Sequence, residues 1–212
     1  FIYDVIQQLQ QQLITLGSSI IVEYGEPLKV WKTLIEKYSI EAVVTNHDYE
    51  PYAIKRDAAI KELLLSHSIP FNTFKDQVIF ENNEIVKEDG TPYVVFTPFS
   101  RKYKEKLDPF YFKPYPTEKY FSNFLKCDPL PIVKLAEIGF TRSEIIIPSS
   151  FINEDIIKHY HETRNIPSLQ GTSRLSVHLR FGTISIRTLG KIAKELNEKY
   201  FNELIWREFY QM

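Results

Sequence analysis

Apolar residues recur along the chain at two spacings that belong to different kinds of secondary structure. In the first 80 residues, three stretches repeat them every three or four positions, which predicts amphipathic helices over 2–16, 27–38 and 52–66. Short apolar runs predict buried strands at 20–24, 42–45, 70–74 and 77–80. Asn82 and Asn83 then predict a turn. Because helices and strands alternate with short connections, this half predicts a partial doubly wound parallel sheet of the α/β class.

The last third of the sequence keeps only the helical spacing. It predicts helices over 155–162, 186–196 and 201–210, the second of them capped by Ser185. In the middle the periodicity weakens and prolines accumulate. Basic residues around Tyr103 fit either a nucleic-acid surface or, as we favour, a linker that packs its aromatic rings and solvates its lysines. We therefore predict an incomplete α/β domain over 1–96, a Pro-rich linker over 97–150 and the start of an all-α domain over 151–212.

Composition and charge narrow the classes of function. Residues that are 43% hydrophobic and 25% charged are typical of a folded globular protein. A formal net charge of −1 means that any contact with DNA depends on a local patch. Cys127 is the single cysteine, and no long apolar run or signal peptide is visible, so we expect a soluble, cytoplasmic protein. The scattered histidines predict no metal site.

The segment 171–182, which begins and ends with glycine, contains a run of two hydroxyl side chains followed by an arginine. Thr172, Ser173 and Arg174 are the residue types that hold a phosphate or pyrophosphate next to free backbone N–H groups. The alternative is that Thr172 or Ser173 is only the N-cap of a helix. The residues alone do not separate these two interpretations.

The predicted helix 201–210 has two different faces. Glu203, Trp206, Arg207 and Tyr210 share one face at helical spacing, and the opposite face is apolar. An acid, a cation and two polar-tipped aromatic rings suit stacking and hydrogen bonding to a flat ligand or an exposed base. The alternative is a half-buried helix in which Glu203 and Arg207 form a surface ion pair.

Together these stretches resemble the flavin-binding and lesion-binding motifs of the DNA photolyase and cryptochrome family. Tyr160 precedes Thr172 by twelve residues, with Arg164-Asn165-Ile166-Pro167 between them. Asn46-His47-Asp48-Tyr49-Glu50-Pro51-Tyr52, followed by Lys55-Arg56-Asp57, resembles the N-terminal signature of the same family. The motifs occur in the family's order and cover essentially the whole chain.

The resemblance implies a site for FAD and a site for damaged DNA. The cofactor-binding residues that it implies are Tyr160, Thr172, Ser173, Arg174, Leu175, Ser176 and Arg207. Glu203 and Trp206 are implied to be catalytic, since they would hydrogen-bond and stack on a flipped pyrimidine dimer. The implied DNA-binding set is Arg164, Glu203, Trp206, Arg207 and Tyr210.

The function implied is light-dependent repair of cyclobutane pyrimidine dimers by electron transfer from reduced FAD. The enzyme would be a deoxyribodipyrimidine photo-lyase, and its partner would be DNA that carries such dimers. The alternative is a cryptochrome-like photoreceptor that keeps the flavin without repair; the intact face of Glu203, Trp206 and Arg207 favours repair. A third candidate is a nucleotide-binding domain without photochemistry.

Two further expectations concern the light-harvesting antenna and the length of the chain. The family's N-terminal domain holds folate or deazaflavin, and Ala53 stands where folate-binding members supply a polar contact, which argues against folate. The chain resembles a fragment that lacks the N-terminal strands and most of the flavin domain. We therefore expect it to carry little flavin and to be inactive by itself, and the full-length protein to be a monomer.

Overall fold

The computed structural model describes residues 1–81 and 83–211, so Asn82 of the predicted turn lies outside the described residues. The chain forms two compact units. The first contains residues 1–74 and 115–147, and the second contains residues 75–114 and 148–212. The domain boundaries predicted at 96/97 and 150/151 refer to the domains of the family that the sequence resembles, and they stay predictions.

The first unit combines helices with a small parallel sheet, as the apolar pattern predicts. Its helices are α1 (Ile2–Thr15), α2 (Pro27–Lys37) and α3 (Pro51–Ser66), and its strands are β1 (Val43–Asn46) and β2 (Phe71–Phe74). The strands pair in parallel, Val43 opposite Phe71, and α3 is the crossover between them. Apolar side chains from α2, α3 and both strands form the core of this unit around Leu64.

The strand predicted at 20–24 is wrong. The segment forms no strand, and Ile21 is 44% exposed. The N–H of Ile20 donates to Gln10 Oε1 at 2.9 Å. The Gln10 side chain, which belongs to α1, therefore takes the place of a strand partner. Four apolar residues in a run of five satisfy the sequence pattern of a strand, but a ladder also requires a neighbouring strand.

The second unit is built from helices, which confirms the predicted α/β plus all-α class. They are α4 (Phe96–Lys106), α5 (Glu154–Lys158), α6 (Tyr160–Thr163), α7 (Ser176–Phe181), α8 (Ile186–Leu196) and α9 (Glu198–Phe209). Ser185 caps α8 as predicted, because its side chain accepts from the N–H groups of Arg187 and Thr188. The apolar faces of α4, α8 and α9 meet in one core that contains Phe99, Leu189 and Ile205.

The strand predicted at 77–80 is also wrong, and the reason lies in α9. Ile79 and Phe80 are buried, but their N–H groups donate to the carboxylate of Glu208, at 2.7 and 3.1 Å. Glu208 is only 1% exposed, and the hydroxyl of Tyr103 bonds to the same carboxylate. A buried carboxylate therefore satisfies the amides that a neighbouring strand would otherwise pair.

The predicted linker contains more regular structure than its prolines indicate. α4 begins at its N-terminal end, and three 3₁₀ turns follow, over Pro109–Phe112, Thr117–Asn123 and Leu135–Ile138. Tyr103 is buried in the core rather than presented to a nucleic acid, and Lys104 forms an ion pair with Glu198 at 2.7 Å. The packed interpretation of this basic stretch is thus the one that the structure supports.

The described residues contain neither a candidate membrane span nor a candidate metal cluster. In the ranges given above, no helix is both long and apolar enough to cross a membrane. The same residues contain no group of three or more His, Cys, Asp or Glu side chains arranged to hold a metal ion.

Glu208 makes stability depend on pH with a defined sign. Burial raises its pKa to about 7, although the Ile79 and Phe80 amides, Tyr103 and the charge of Arg207 all lower it. Between pH 4.5, its ordinary value, and about pH 7 the folded state therefore binds more protons than the unfolded state, so the free energy of unfolding falls as pH rises. We expect a loss of about 3 kcal/mol across this window. Urea denaturation in a Trp31→Phe background at a series of pH values, followed by Trp206 emission, measures this loss.

The test variant is Glu208→Gln, which keeps the shape of the side chain and cannot titrate. Its stability should therefore lack this component of the pH dependence. Glu195→Gln, on the exposed side of α8, should keep the parent's profile. Parallel pH profiles for the parent and Glu208→Gln would contradict the assignment.

Candidate functional site

The segment 171–176 forms a bend whose backbone is shaped for an anion. Arg174 has φ of +53°, in the left-handed region, and Leu175 follows with φ −87° and ψ 4°. A left-handed residue followed by a right-handed one turns successive N–H groups to the same side, which creates an anion-binding concavity. In the part of the chain that the structure describes, the N–H groups of Arg174, Leu175 and Ser176 donate to no protein acceptor.

Gly171 allows the bend to approach α6 closely. It is buried, and a Cβ built on it would meet the carbonyl oxygen of Thr163 at 2.6 Å. Any side chain at this position would therefore separate the bend from the end of α6.

The capping alternative for the bend is not the observed one. α7 begins at Ser176 with Leu175 as the N-cap residue, and no side chain caps it. The Ser173 hydroxyl is instead 2.7 Å from the hydroxyl of Tyr200, at the start of α9. Thr172 and Arg174 are exposed, whereas the Leu175 side chain is 2% exposed and belongs to the core. Leu175 thus offers only its backbone to a ligand.

Two tyrosines stand beside the bend. The rings of Tyr160 and Tyr200 meet edge to face, with centroids 5.0 Å apart at 87°. Burial raises the pKa of both hydroxyls, and for Tyr160 the charge of Glu203 raises it further while Arg164 lowers it. Both therefore remain neutral hydrogen-bonding groups at neutral pH. The sequence analysis missed Tyr200, although it lies one turn before Glu203 on the same helix.

Arg164 and Glu203 form an ion pair between α9 and the C-terminal end of α6. The Arg164 guanidinium also lies over the Tyr160 ring, 5.1 Å from its centroid. Glu203 thus pairs with Arg164, and among the ion pairs of the described residues none joins it to Arg207, which was the alternative for this helix. The contact brings two of the predicted DNA-binding residues next to a predicted cofactor-binding residue.

Arg207 is anchored to the backbone. Its guanidinium donates to the carbonyl of Gln77 at 2.9 Å and to that of Leu179 at 3.3 Å. It therefore joins α9 to α7 and to the segment before Ile79. Arg207 thus positions α9, and its predicted contacts with the cofactor and with DNA stay predictions.

Trp206 stacks on an aromatic ring of α4. The centroids of Trp206 and Phe96 are 3.7 Å apart and the ring planes differ by 6°. Tyr210 lies at 5.4 Å and 24°, and its side chain is 76% exposed. The predicted stacking residue is therefore held in a fixed plane and borders solvent.

The predicted site residues thus fall into a connected series. Contacts run from Ser173 through Tyr200 to Tyr160, then through Arg164 to Glu203. Trp206 and Tyr210 follow on α9 one and two turns after Glu203. A bend with free N–H groups, a pair of neutral tyrosines and a helix with an acid and a stacking ring are features typical of proteins that bind nucleotides or nucleic acids.

The particular family follows from comparison with known proteins. Residues 1–119 match the sequence model of the DNA photolyase family, more than half of the chain. A deoxyribodipyrimidine photo-lyase of Halobacterium salinarum is 31% identical over 99% of this chain and 48% of its own length. The chain belongs to the DNA photolyase family. It spans about half the length of the relatives it matches.

Two solved structures show the same fold. A bacterial class III photolyase from Agrobacterium tumefaciens superposes with a TM-score of 0.74 at 22% identity, over 97% of this chain and 47% of that one. An archaeal photolyase from Sulfolobus tokodaii, solved with two FAD molecules, superposes with a TM-score of 0.70 at 24% identity, over 97% and 45%. The α/β arrangement followed by helices is thus the photolyase arrangement.

The charges around Tyr160 predict how its hydroxyl titrates. Glu203→Gln removes an anion, so the pKa of Tyr160 should fall, and Arg164→Gln removes a cation, so it should rise. ¹⁹F NMR of fluorotyrosine-labelled protein, with the signal assigned by Tyr160→Phe, measures both directions. Glu198→Gln, which removes an exposed carboxylate paired with Lys104, should leave the signal's titration unchanged. A shift of the same sign in both site variants would refute the arrangement.

Proposed function

We propose that this chain supplies part of the FAD site and the lesion-recognition face of a deoxyribodipyrimidine photo-lyase, which repairs cyclobutane pyrimidine dimers in DNA under light. The observation that carries the proposal is the connected series from Ser173 to Glu203, because it links the bend to the aromatic face of α9. Family membership supports the reaction class.

The bend fits the diphosphate of FAD. Three free N–H groups, the hydroxyls of Thr172 and Ser176 and the cation of Arg174 supply donors and positive charge for two phosphates. The edge-to-face tyrosines beside it offer a flat apolar wall with hydroxyl tips, which suits an aromatic ring system. When bound, reduced FAD supplies the electron that splits the dimer under light.

α9 is the part of the chain suited to a damaged base. Trp206 offers a ring for stacking, and Glu203 offers a carboxylate that accepts hydrogen bonds from base edges. A dimer has weakened stacking and pairing, so extruding it from the duplex costs less than extruding an intact base. Arg164 holds the Glu203 carboxylate in place, and Arg207 holds α9. The residues bind and orient, and no protein nucleophile takes part.

The cryptochrome alternative keeps the flavin site without repair. The exposed edge of Trp206 beside Glu203 favours repair, since a photoreceptor has no requirement for a stacking ring at this place. An antenna chromophore, with folate disfavoured by Ala53, stays a prediction, as do the monomeric state and the cytoplasmic location. Loss of dimers from DNA on illumination separates repair from photoreception.

The repair test uses the complete protein as it occurs naturally, illuminated with dimer-containing DNA while dimers are counted. We expect light-dependent restoration of pyrimidines. Trp206→Leu should weaken binding of dimer-containing DNA about tenfold or more, because a stacked base is worth about 1–3 kcal/mol. Trp31→Phe, in the other unit, should bind and repair like the parent. Repair and affinity that are unchanged in Trp206→Leu would argue against the proposed face.

The bend is tested by two substitutions at Arg174. Arg174→Gly keeps φ of +53° at no steric cost and loses only the guanidinium, whereas Arg174→Val resists this conformation. We expect Arg174→Val to bind FAD about tenfold more weakly than Arg174→Gly, from a strain of about 1–3 kcal/mol. Equilibrium dialysis of the complete protein with FAD measures the difference. Equal affinities for the two variants would show that the backbone conformation does not serve the cofactor.

A further inference from the structure

We propose that Phe96 is a positioning residue for lesion recognition: it fixes the plane of the Trp206 indole and leaves one ring face for a damaged base. The inference rests on the proposed function of α9 and adds a residue from a different part of the chain, the first residue of α4. Phe96 stands 110 positions before Trp206, so it shares no sequence motif with it.

The geometry is that of full stacking. A centroid distance of 3.7 Å with a 6° angle means that the Phe96 ring covers one face of the indole. Phe209 supports the pair from the side, since its ring meets Phe96 at 75° and Trp206 at 79°. The other stacked neighbour of the indole is Tyr210, at 5.4 Å and 24°, and its side chain is 76% exposed, so a base that stacks on this face takes the place of an exposed ring.

Phe96 is itself held by a rigid helix. α4 packs against α9, and Tyr103, two turns after Phe96, is buried and bonded to Glu208 of α9. Phe99, between them, packs against Phe209. The Phe96 ring is thus held against α9 by buried contacts of its own helix, whereas the Tyr210 side chain is exposed.

A prestacked indole has a consequence for binding. A tryptophan that is already held in one plane loses little rotamer freedom when a base stacks on it, so the ordering cost is met when the protein folds. With one face covered, a base stacks on the other, which gives the lesion a single orientation relative to Glu203. Phe96 therefore acts on affinity for damaged DNA through Trp206, without contacting DNA.

The experiment uses the 212-residue chain with Trp31→Phe, so that Trp206 is its one tryptophan. Phe96→Leu keeps apolar volume and removes the stacked plane. Acrylamide quenching of Trp206 should then increase about twofold, because a second ring face becomes accessible. Affinity for a dimer-containing single strand should fall about fivefold, and affinity for the undamaged strand should stay unchanged. Phe96→Tyr should restore both values.

Phe99→Leu is the matched control, since it makes the same change one turn further along α4 without contacting Trp206. It should lower stability and leave quenching and the preference for damaged DNA as they are. Quenching or dimer affinity that stays at the parent's value in Phe96→Leu would overturn the proposal. If the parent binds damaged and undamaged strands equally, the proposed recognition function fails, and quenching alone decides the role of Phe96.

Discussion

The Glu208 carboxylate is the interaction on which the second unit depends. It accepts from two consecutive backbone N–H groups and from Tyr103, all removed from water. Leaving any of these donors unpaired in the interior costs roughly 1–3 kcal/mol. One side chain of α9 thus fixes both the segment 77–80 and α4. Because α9 is held in this way, the residues on its opposite side also have fixed positions.

The same helix has a second fixed point in the next residue towards its N-terminus. Arg207 donates to the carbonyls of Gln77 and Leu179. Two adjacent residues of α9 therefore bind neighbouring backbone, Glu208 through N–H groups and Arg207 through C=O groups. Trp206 and Glu203 can then have defined positions without being buried. The proposed recognition face of α9 borders solvent, and the buried polar contacts beneath it keep it ordered.

The local patterns predicted much of this fold. Apolar spacing predicted α2, α3, α8 and α9, and Pro27 and the Ser185 cap mark the starts of α2 and α8. These signals could be read because they act within a few residues. The strands predicted at 20–24 and 77–80 failed because backbone N–H groups of these segments pair with helix side chains, Gln10 of α1 and Glu208 of α9. Glu208 and Ile79 are 129 positions apart, and no local pattern predicts such a pair. Tyr200 and Phe96 escaped for the same reason, since their roles arise from tertiary contacts.

Gly171 sets the spacing of the whole recognition region. Because its backbone rests directly against the carbonyl of Thr163, the residue next to Arg164, the place where phosphates would bind and the ion pair that orients the Glu203 carboxylate share one backbone contact. Because no side chain stands between the bend and α6, the spacing between them does not depend on a side-chain rotamer at position 171.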